Sequence, residues 1–363
     1  MTFQFLDKAP EESYGPPTRR FPLRKPENHQ PLVQRWSFLL PEKEPNMFVV
    51  FVGAQARTEE GLNRHSLVKW VETYLRLHKS GPACVDFSKR QVKPELFEWV
   101  VASYWISTER FRGWRDDELV EQWWHESERL DSDEGCWREI LTVPRDRQES
   151  IYWKDYPAGL MASEAVQIFP TPFCGYYGAM RDRLPAAAND ALESPLKEEL
   201  VPKNCQATQR GHWKVTAPHN LTVIRSGHSW ERMDDGQFKD YERRLKSPLS
   251  IGMAYLAKNP TPTGCASLRW LSTVDCSGKS VPEAHALGYF TSFEQMENWA
   301  ERHPTHAAIF NAAMRRYKSY GSQNQLRTWH EVYVVPEGFQ TFEYLNCDST
   351  TGLLPYFAAE RIR

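Results

Sequence analysis

The sequence predicts an α+β fold made of two ferredoxin-like units, and three observations carry this prediction. The chain has 363 residues, enough for about two domains of ordinary size. The predicted elements run β-α-β-β-α-β twice. Asn46 and Gly53 flank the first strand of this order as Asn220 and Gly227 flank its counterpart, which indicates an internal duplication. Two such units whose sheets face each other form a dimeric-type α+β barrel, with a cavity between the sheets for a large cofactor.

The first half follows a proline-rich arm, which we expect to lie extended on the surface of the body. Beyond the arm, short apolar runs predict strands and an apolar period near 3.6 predicts helices. The predicted strands are Met47 to Gly53, Ala83 to Ser88, Leu96 to Ile106 and Cys136 to Val143. The predicted helices are Leu62 to His78 and a segment that is capped by Thr108 and ends near Trp124.

The second half repeats this order. Its predicted strands are Leu221 to Ser226, Cys265 to Val274, Ala284 to Thr291 and Trp329 to Val335, and its helices are Phe238 to Lys258 and one that begins at Phe293. We therefore divide the chain into an arm (1–45), a first half (46–152), a connecting segment with a loop that contributes to the site (153–215), a second half (216–350) and a tail (351–363).

Charge and hydropathy exclude several classes of partner. Lys and Arg number 45 against 47 Asp and Glu, so a net charge of −2 gives no basis for binding nucleic acid. The longest apolar run, Met47 to Ala54, is far shorter than the roughly 20 residues of a membrane span. The first residues lack the apolar core of a signal peptide. We expect a soluble, cytoplasmic protein without a membrane partner.

The cysteines form neither a disulfide framework nor a zinc motif. There are seven, without a C-x-x-C pair: Cys84, Cys136, Cys174, Cys205, Cys265, Cys276 and Cys347. We expect reduced thiols. Motifs for dinucleotides, P-loop phosphates, elbow-type hydrolases, zincins and covalent c-haem are absent as well. The 14 Trp residues suit a large flat apolar ligand or an ordinary thick core.

His306 is the first candidate for chemistry. It belongs to the run His303-Pro304-Thr305-His306, in which Pro304 interrupts a helical apolar pattern. His306 lies on the same predicted helix face as Ile309, Phe310 and Ala313. An imidazole in an apolar wall needs a partner for its nitrogens, and the iron of a porphyrin is one such partner. A hydrogen-bonded core or capping histidine fits the same pattern.

Two strand residues are further candidates. By period-two alternation His330 shares a face with Val332 and Val334, and Ser226 shares one with Ile224. A histidine that faces a cavity can give or take a proton near neutral pH. The alternatives are a hydrogen-bonded core histidine and a turn or capping serine.

Three charged residues complete the candidates. Arg181 and Arg183 lie in a loop between the halves, where a solvated ion-pair cluster is the ordinary interpretation. A buried arginine there would need an anionic partner or an oxygen-bearing ligand. Glu149 is most simply a surface carboxylate.

Five stretches in this order resemble the haem-containing aldoxime dehydratases, also called phenylacetaldoxime dehydratases. They are Gly175-Tyr176-Tyr177-Gly178 followed by Met180-Arg181-Asp182-Arg183, Ile224-Arg225-Ser226-Gly227, Trp299-Ala300-Glu301 followed by His303-Pro304-Thr305-His306, Trp329-His330-Glu331-Val332, and Phe342-Glu343-Tyr344-Leu345-Asn346-Cys347. The resemblance extends from residue 46 to residue 350.

The resemblance implies haem b, bound noncovalently between sheet and helix and ligated by the second half. His306, the second histidine of its motif, would be the proximal iron ligand. The distal site would consist of Ser226, Arg183 and His330, with His330 as the acid-base catalyst. The spacing to Ser226 favours Arg183 over Arg181.

The same resemblance implies further properties of the enzyme. Glu149 matches a catalytic-site carboxylate of the family. The substrate would be an aldoxime, the active iron would be ferrous, FMN would assist electron transfer, and the assembly would be a homodimer.

Dehydration of R-CH=N-OH to a nitrile requires the hydroxyl to leave as water and the carbon-bound hydrogen to leave as a proton, so one acid-base group suits both steps. A haem peroxidase or oxygenase on a related barrel is the alternative enzyme, because a distal His and Arg also suit peroxide cleavage. The other alternative is a noncatalytic haem-binding protein. Ser226 beside His330 favours an oxime hydroxyl.

Overall fold

Antiparallel strands form the centre of the molecule. The computed structural model describes residues 3–16, 18–196, 199–203 and 210–363. The strands, in chain order, are β1 (Gln4–Phe5), β2 (Arg35–Leu39), β3 (Asn46–Ala56), β4 (Cys84–Lys93), β5 (Leu96–Trp105), β6 (Gly135–Pro144), β7 (Gln148–Ile151), β8 (Gln167–Thr171), β9 (His212–Val215), β10 (Leu221–Ser229), β11 (Cys265–Val274), β12 (Ser280–Phe290), β13 (Arg327–Val335), β14 (Gln340–Leu345) and β15 (Ala359–Arg361).

Helices connect these strands. They are α1 (Glu59–Arg64), α2 (Ser66–Trp70), α3 (Thr108–Arg115), α4 (Glu118–His125), α5 (Glu128–Asp131), α6 (Ala179–Arg183), α7 (Asp235–Tyr241), α8 (Ser247–Lys258), α9 (Pro260–Thr263), α10 (Phe293–Arg302) and α11 (Pro304–Tyr320). π-Helical segments at Val71–Arg76 and Glu242–Lys246 continue α2 and α7, and 3₁₀ turns lie at Glu11–Tyr14, Arg145–Arg147, Gly159–Ala162, Pro185–Ala188 and Gly321–Gln323.

Twelve of the described strands form one curled antiparallel sheet in the order β15-β9-β14-β6-β3-β5-β4-β11-β12-β10-β13-β7. The central strands of the first half lie in the order β6-β3-β5-β4, and those of the second half in the equivalent order β13-β10-β12-β11. The halves join where β4 pairs with β11, for example Ser88 with Thr273. All eight predicted strands are present, with ends shifted by a few residues.

Side chains of both halves fill the space between the two parts of the sheet. One apolar cluster contains Phe51 and Leu141 from the first half together with Leu221 and Tyr333 from the second. The expectation of a cofactor cavity between the sheets is therefore wrong. Alternation along each strand sends every second side chain to the opposite face, where the helices pack.

Helix boundaries depart from the predictions at their caps. The predicted helix Leu62 to His78 breaks at His65, whose backbone is not helical (φ −59°, ψ 135°) and whose side chain accepts a hydrogen bond from the N–H of Leu67. The cap of α3 is Ser107 and not Thr108, because the Ser107 hydroxyl accepts from the N–H of Arg110.

The arm is only partly a surface element. Strand β2 pairs with β8 in a separate small sheet that also contains β1. Phe38 and Leu40 are buried in the core and Arg35 is buried as well, because β2 carries them inward. Strand β7, which the sequence pattern did not predict, pairs with β13 at the edge of the large sheet.

Two further expectations concern the thiols and the membrane. Cys84, Cys136, Cys174, Cys265, Cys276 and Cys347 are free thiols, and Cys205 lies outside the described residues. In the ranges that the structure describes, no helix combines the length and the apolar character that crossing a bilayer requires.

Candidate active site

A cavity of about 340 Å³ lies between the sheet of the second half and the helices that cover it. Residues of β10 to β13 form one wall, and residues of α8, α10 and α11 form the other. Most lining side chains are apolar, among them Ile224, Trp270, Met253 and Phe310. A mainly apolar cavity with a few polar groups is typical of a cofactor or substrate site.

His306 contributes to the helix wall of this cavity. Helix α10 ends at Arg302, and Pro304 starts α11 at a position where its missing N–H costs nothing. His306 thus lies in the first turn of α11. Its ring lies against Trp299, with 4.8 Å between the ring centroids. Its Nδ1 atom is buried and has no hydrogen-bond partner in the described part of the chain.

The environment of His306 suits a metal ligand. Burial lowers the pKa of His306 to about 4, so the imidazole is neutral at pH 7, which is the form that binds metals. No group of three or more His, Cys, Asp or Glu side chains is arranged to hold a metal ion within the described ranges. A metal bound to His306 would need its other ligands from a macrocycle such as haem, and the mainly apolar cavity suits one.

Ser226 and His330 lie side by side on the sheet wall. Strands β10 and β13 are antiparallel neighbours, and their register places Ser226 directly opposite His330. Both side chains line the cavity together with Ile224, as the alternation predicted. Directly opposed residues have Cβ atoms about 5 Å apart, so one ligand group can contact both.

Arg183 and Glu149 join His330 in a buried cluster. Nε of Arg183 donates to Oε2 of Glu149 over 2.7 Å, and Nη1 donates to the carbonyl of Phe173 over 2.5 Å. Nη2 of Arg183 lies 2.9 Å from Nε2 of His330. Oε1 of Glu149 also lies 2.9 Å from that nitrogen. Helix α6 supplies the arginine and β7 the glutamate.

The Nε2 atom of His330 therefore lies between a donor and an acceptor. In the neutral ring Nε2 accepts from Arg183, and Oε1 of Glu149 then has no hydrogen-bond partner in the described chain. In the protonated ring the Nε2–H faces Glu149. This arrangement supports both protonation states of His330.

Burial, neighbouring charges and hydrogen bonding set the proton affinities of this cluster. Burial lowers the pKa of His330, Glu149 opposes this by favouring the imidazolium, and Arg183 lowers it further. Burial alone would raise the pKa of Glu149, but Arg183 and His330 outweigh it and hold that pKa below its usual value. Glu149 is thus an anion at neutral pH although its carboxyl is buried.

Arg181 lies outside this cluster. Its Nη2 donates to Oε2 of Glu297 over 2.5 Å, and it does not line the cavity. The expectation of a solvated ion-pair cluster is wrong for Arg183, which is 3% exposed, and the surface interpretation of Glu149 is wrong, since it is 1% exposed. Each is buried because it neutralises the other.

The sequence reasoning missed Arg35, which also lines the cavity. Arg35 is 6% exposed and begins β2 in the arm. The one available indication was a cation directly in front of the strand-like run Trp36-Ser37-Phe38.

Comparisons with known proteins agree with this geometry. The family model described as haem-containing dehydratase matches residues 50–353. The phenylacetaldoxime dehydratase of Bacillus sp. (strain OxB-1) is 30% identical over 341 residues, covering 93% of this chain and 95% of the relative. The aliphatic aldoxime dehydratase of Pseudomonas chlororaphis is 27% identical and covers 93% and 94% of the two chains.

Solved structures show the same architecture. A crystal structure of an aldoxime dehydratase superposes with a TM-score of 0.85 at 27% identity, covering 96% of this chain and 98% of that one. An aldoxime dehydratase in complex with butyraldoxime gives a TM-score of 0.85 at 25% identity, with 96% of each chain covered. On the match over most of its length, this chain belongs to the haem-containing dehydratase family.

Proposed function

We propose that this chain is an aldoxime dehydratase, a lyase that converts R-CH=N-OH into a nitrile and water with the help of haem b. One observation carries the proposal: the cavity has His306 on its helix wall, with an Nδ1 atom that no described residue hydrogen-bonds, and the cluster of Ser226, His330, Arg183 and Glu149 on its sheet side. The aldoxime dehydratases to which the chain is similar support the reaction.

His306 would hold the haem iron. Its neutral imidazole and its position in the apolar wall are the features that support this role. When bound, haem in the ferrous state would supply an electron-rich iron as a ligand for the oxime nitrogen, which would weaken the N–O bond. The ferrous state, and FMN as an assisting electron mediator, belong to this proposal.

The sheet-side residues would position the oxime hydroxyl. The Ser226 hydroxyl and the Arg183 guanidinium both supply hydrogen-bond donors to the leaving oxygen. Ser226 lies opposite His330 in register, so the same oxygen is within reach of the imidazole.

His330 would transfer both protons. The protonated ring gives its proton to the hydroxyl, which leaves as water, and the neutral ring then takes the carbon-bound proton as the nitrile forms. Atoms balance, because the ring returns to its protonated state after each turnover. No hydrogen bond from the described residues engages Nδ1 of His330, which leaves that atom for the substrate.

Glu149 would act as a positioning residue. It holds Arg183 through Nε over 2.7 Å and faces Nε2 of His330, so it orients both groups without contacting the substrate. Its negative charge also stabilises the imidazolium.

The test is an absorption spectrum and a turnover assay with purified protein. We expect a Soret band, a spectral change when phenylacetaldoxime is added after dithionite, and nitrile formation under anaerobic reducing conditions without peroxide. Haem-dependent turnover that requires peroxide would favour the peroxidase or oxygenase alternative. A haem spectrum without any turnover would favour a haem-binding protein.

Several finer properties are part of the same proposal. The equivalent strand orders of the two halves support two duplicated ferredoxin-like units in a dimeric-type barrel, with haem between sheet and helix. The segment boundaries at residues 45, 152, 215 and 350, a homodimer and a cytoplasmic location remain predictions.

A further inference from the structure

Arg35 is a buried cation in the wall of the cavity, and three neutral oxygens hold it. Its Nε donates to the carbonyl of Tyr152 over 2.9 Å, and its Nη2 donates to the carbonyl of Thr328 over 2.5 Å. Nη1 lies 3.5 Å from the hydroxyl of Tyr317. A guanidinium has five N–H groups, so these contacts leave part of its donor capacity unused.

The charge of Arg35 has no counter-ion among the residues that the structure describes. No carboxylate oxygen of the described residues lies within 4.0 Å of its guanidinium, and burial lowers the pKa of Arg35. Other buried arginines have a carboxylate partner: Arg183 pairs with Glu149, and Arg269 pairs with Glu139 at 2.7 Å. A buried charge without a partner is unfavourable, so Arg35 differs from these structural ion pairs.

Arg35 lies beside the proposed catalytic cluster. Its partner Thr328 is two residues before His330 on β13, on the same face and therefore about 7 Å along the strand. Arg35 is also close enough to affect the protonation of His330 electrostatically. Val33, Ile151 and Cys174 line the cavity as well, and Cys174 contacts the carbonyl of Val33.

We propose that Arg35 is a specificity-determining residue that binds a carboxylate on the substituent R of the substrate. The preferred substrates are then aldoximes of the form HO₂C-R′-CH=N-OH, with an apolar spacer R′. This inference rests on the proposed function and names its substrate class. Hydrogen bonds between a guanidinium and a carboxylate are strong in a site of low dielectric constant, whereas an apolar substituent leaves Arg35 unpaired.

The test is steady-state kinetics of the holoenzyme with matched substrates. One series is HO₂C-(CH₂)n-CH=N-OH with n from 2 to 5, and the other has a methyl group in place of the carboxyl. In the wild type we expect at least one spacer length at which the carboxylate has a kcat/KM about tenfold higher than its methyl counterpart. Arg35→Met should abolish this preference, so that the ratio of the two kcat/KM values falls to about one at every spacer length.

Arg327 provides a matched control, because it stacks on the same Trp153 ring as Arg35. Arg35 and Arg327 both stack on Trp153, at 5.1 Å and 4.8 Å from the ring centroid. Arg327 pairs with Asp155 at 2.8 Å and does not line the cavity. Arg327→Met should therefore keep the carboxylate preference. Arg35→Lys keeps the positive charge but loses the planar set of guanidinium donors, so this variant should retain part of the carboxylate preference.

A binding measurement keeps the test independent of turnover and of the folding of variants. Calorimetric titration of the wild type with an ω-carboxyalkyl nitrile should give a dissociation constant about tenfold lower than with the alkyl nitrile of equal length.

The outcomes separate this inference from the proposed function. If the wild type converts methyl-series aldoximes but neither kinetics nor titration shows a carboxylate preference, the inference on Arg35 is wrong and the proposed function stands. If no aldoxime is converted, the proposed function itself fails. If Arg35→Met instead accelerates haem dissociation and leaves substrate preference unchanged, Arg35 binds a haem propionate and the inference is overturned.

Discussion

The indole of Trp329 lies directly against the backbone of Gly227, its register partner on β10: a Cβ atom on that glycine would come within 2.4 Å of the indole Cε2. Gly53 and Trp137 repeat this contact in the first half, with 2.2 Å for the equivalent atom. The recurrence supports the proposed duplication. It also explains why glycine occupies the equivalent position in both strands.

Gly227→Ala should destabilise the protein by about 1–3 kcal/mol, because the methyl group forces a buried indole to move. Urea unfolding followed by Trp fluorescence measures the loss. The control is Gly236→Ala in α7, where the nearest atom is a side-chain oxygen at 3.3 Å and a helix favours alanine. Equal stabilities of the Gly227 variant and the wild type would contradict the packing argument.

His306→Ala should purify with its fold intact but without haem, since His306 is the residue proposed to hold the iron. The Soret absorbance per protein and the circular dichroism spectrum measure the two properties. His303→Ala is the matched control, because His303 caps α11 and bonds to Thr305 but does not line the cavity. It should keep haem and lose about 1 kcal/mol of stability. Full haem ligation in the His306 variant would refute this assignment.

His330→Ala should keep the Soret band and lose dehydration activity by about 10²- to 10⁴-fold, the usual contribution of a positioned acid-base group. Nitrile formation under anaerobic reducing conditions is the measurement. Activity close to wild type, at equal haem content, would show that another group transfers the protons.

Arg183→Ala and Arg181→Ala should differ sharply. Arg183 lines the cavity beside His330, so its loss removes a donor to the leaving oxygen and should lower kcat by about 100-fold or more. Arg181 pairs with Glu297 and neither residue lines the cavity, so the loss of Arg181 should lower stability, because the pair is buried, and should change kcat by less than about fivefold. The reverse order of effects would assign the distal role to Arg181.

The pH dependence of kcat/KM should shift in opposite directions in two variants. If protonated His330 is the acid, kcat/KM falls as pH rises through the pKa of His330. Glu149 raises that pKa and Arg183 lowers it. Glu149→Gln should therefore move the fall to lower pH, and Arg183→Met should move it to higher pH. Shifts in the same direction would mean that another group controls the profile.

Local sequence determined much of the site. Alternation alone placed Ser226 on the same face of the sheet as Ile224, and His330 on the same face as Val332, because successive side chains on a strand point to opposite faces. The proline before His306 fixed the start of α11, because its geometry suits only the first turn. Both features depend on neighbours along the chain, and the sequence shows those neighbours directly.

Tertiary structure decided the rest. The unpredicted strand β7 and the short helix α6 bring Glu149 to Arg183 and bury both residues. The residues next to a charged side chain in the sequence do not show that a distant partner will neutralise its charge in the folded protein. The sequence could not show that side chains fill the space between the halves, because that depends on how closely the curled sheet packs on itself. Arg35 enters the cavity wall only because the arm pairs with β8 and reaches β13, contacts between residues far apart in the chain.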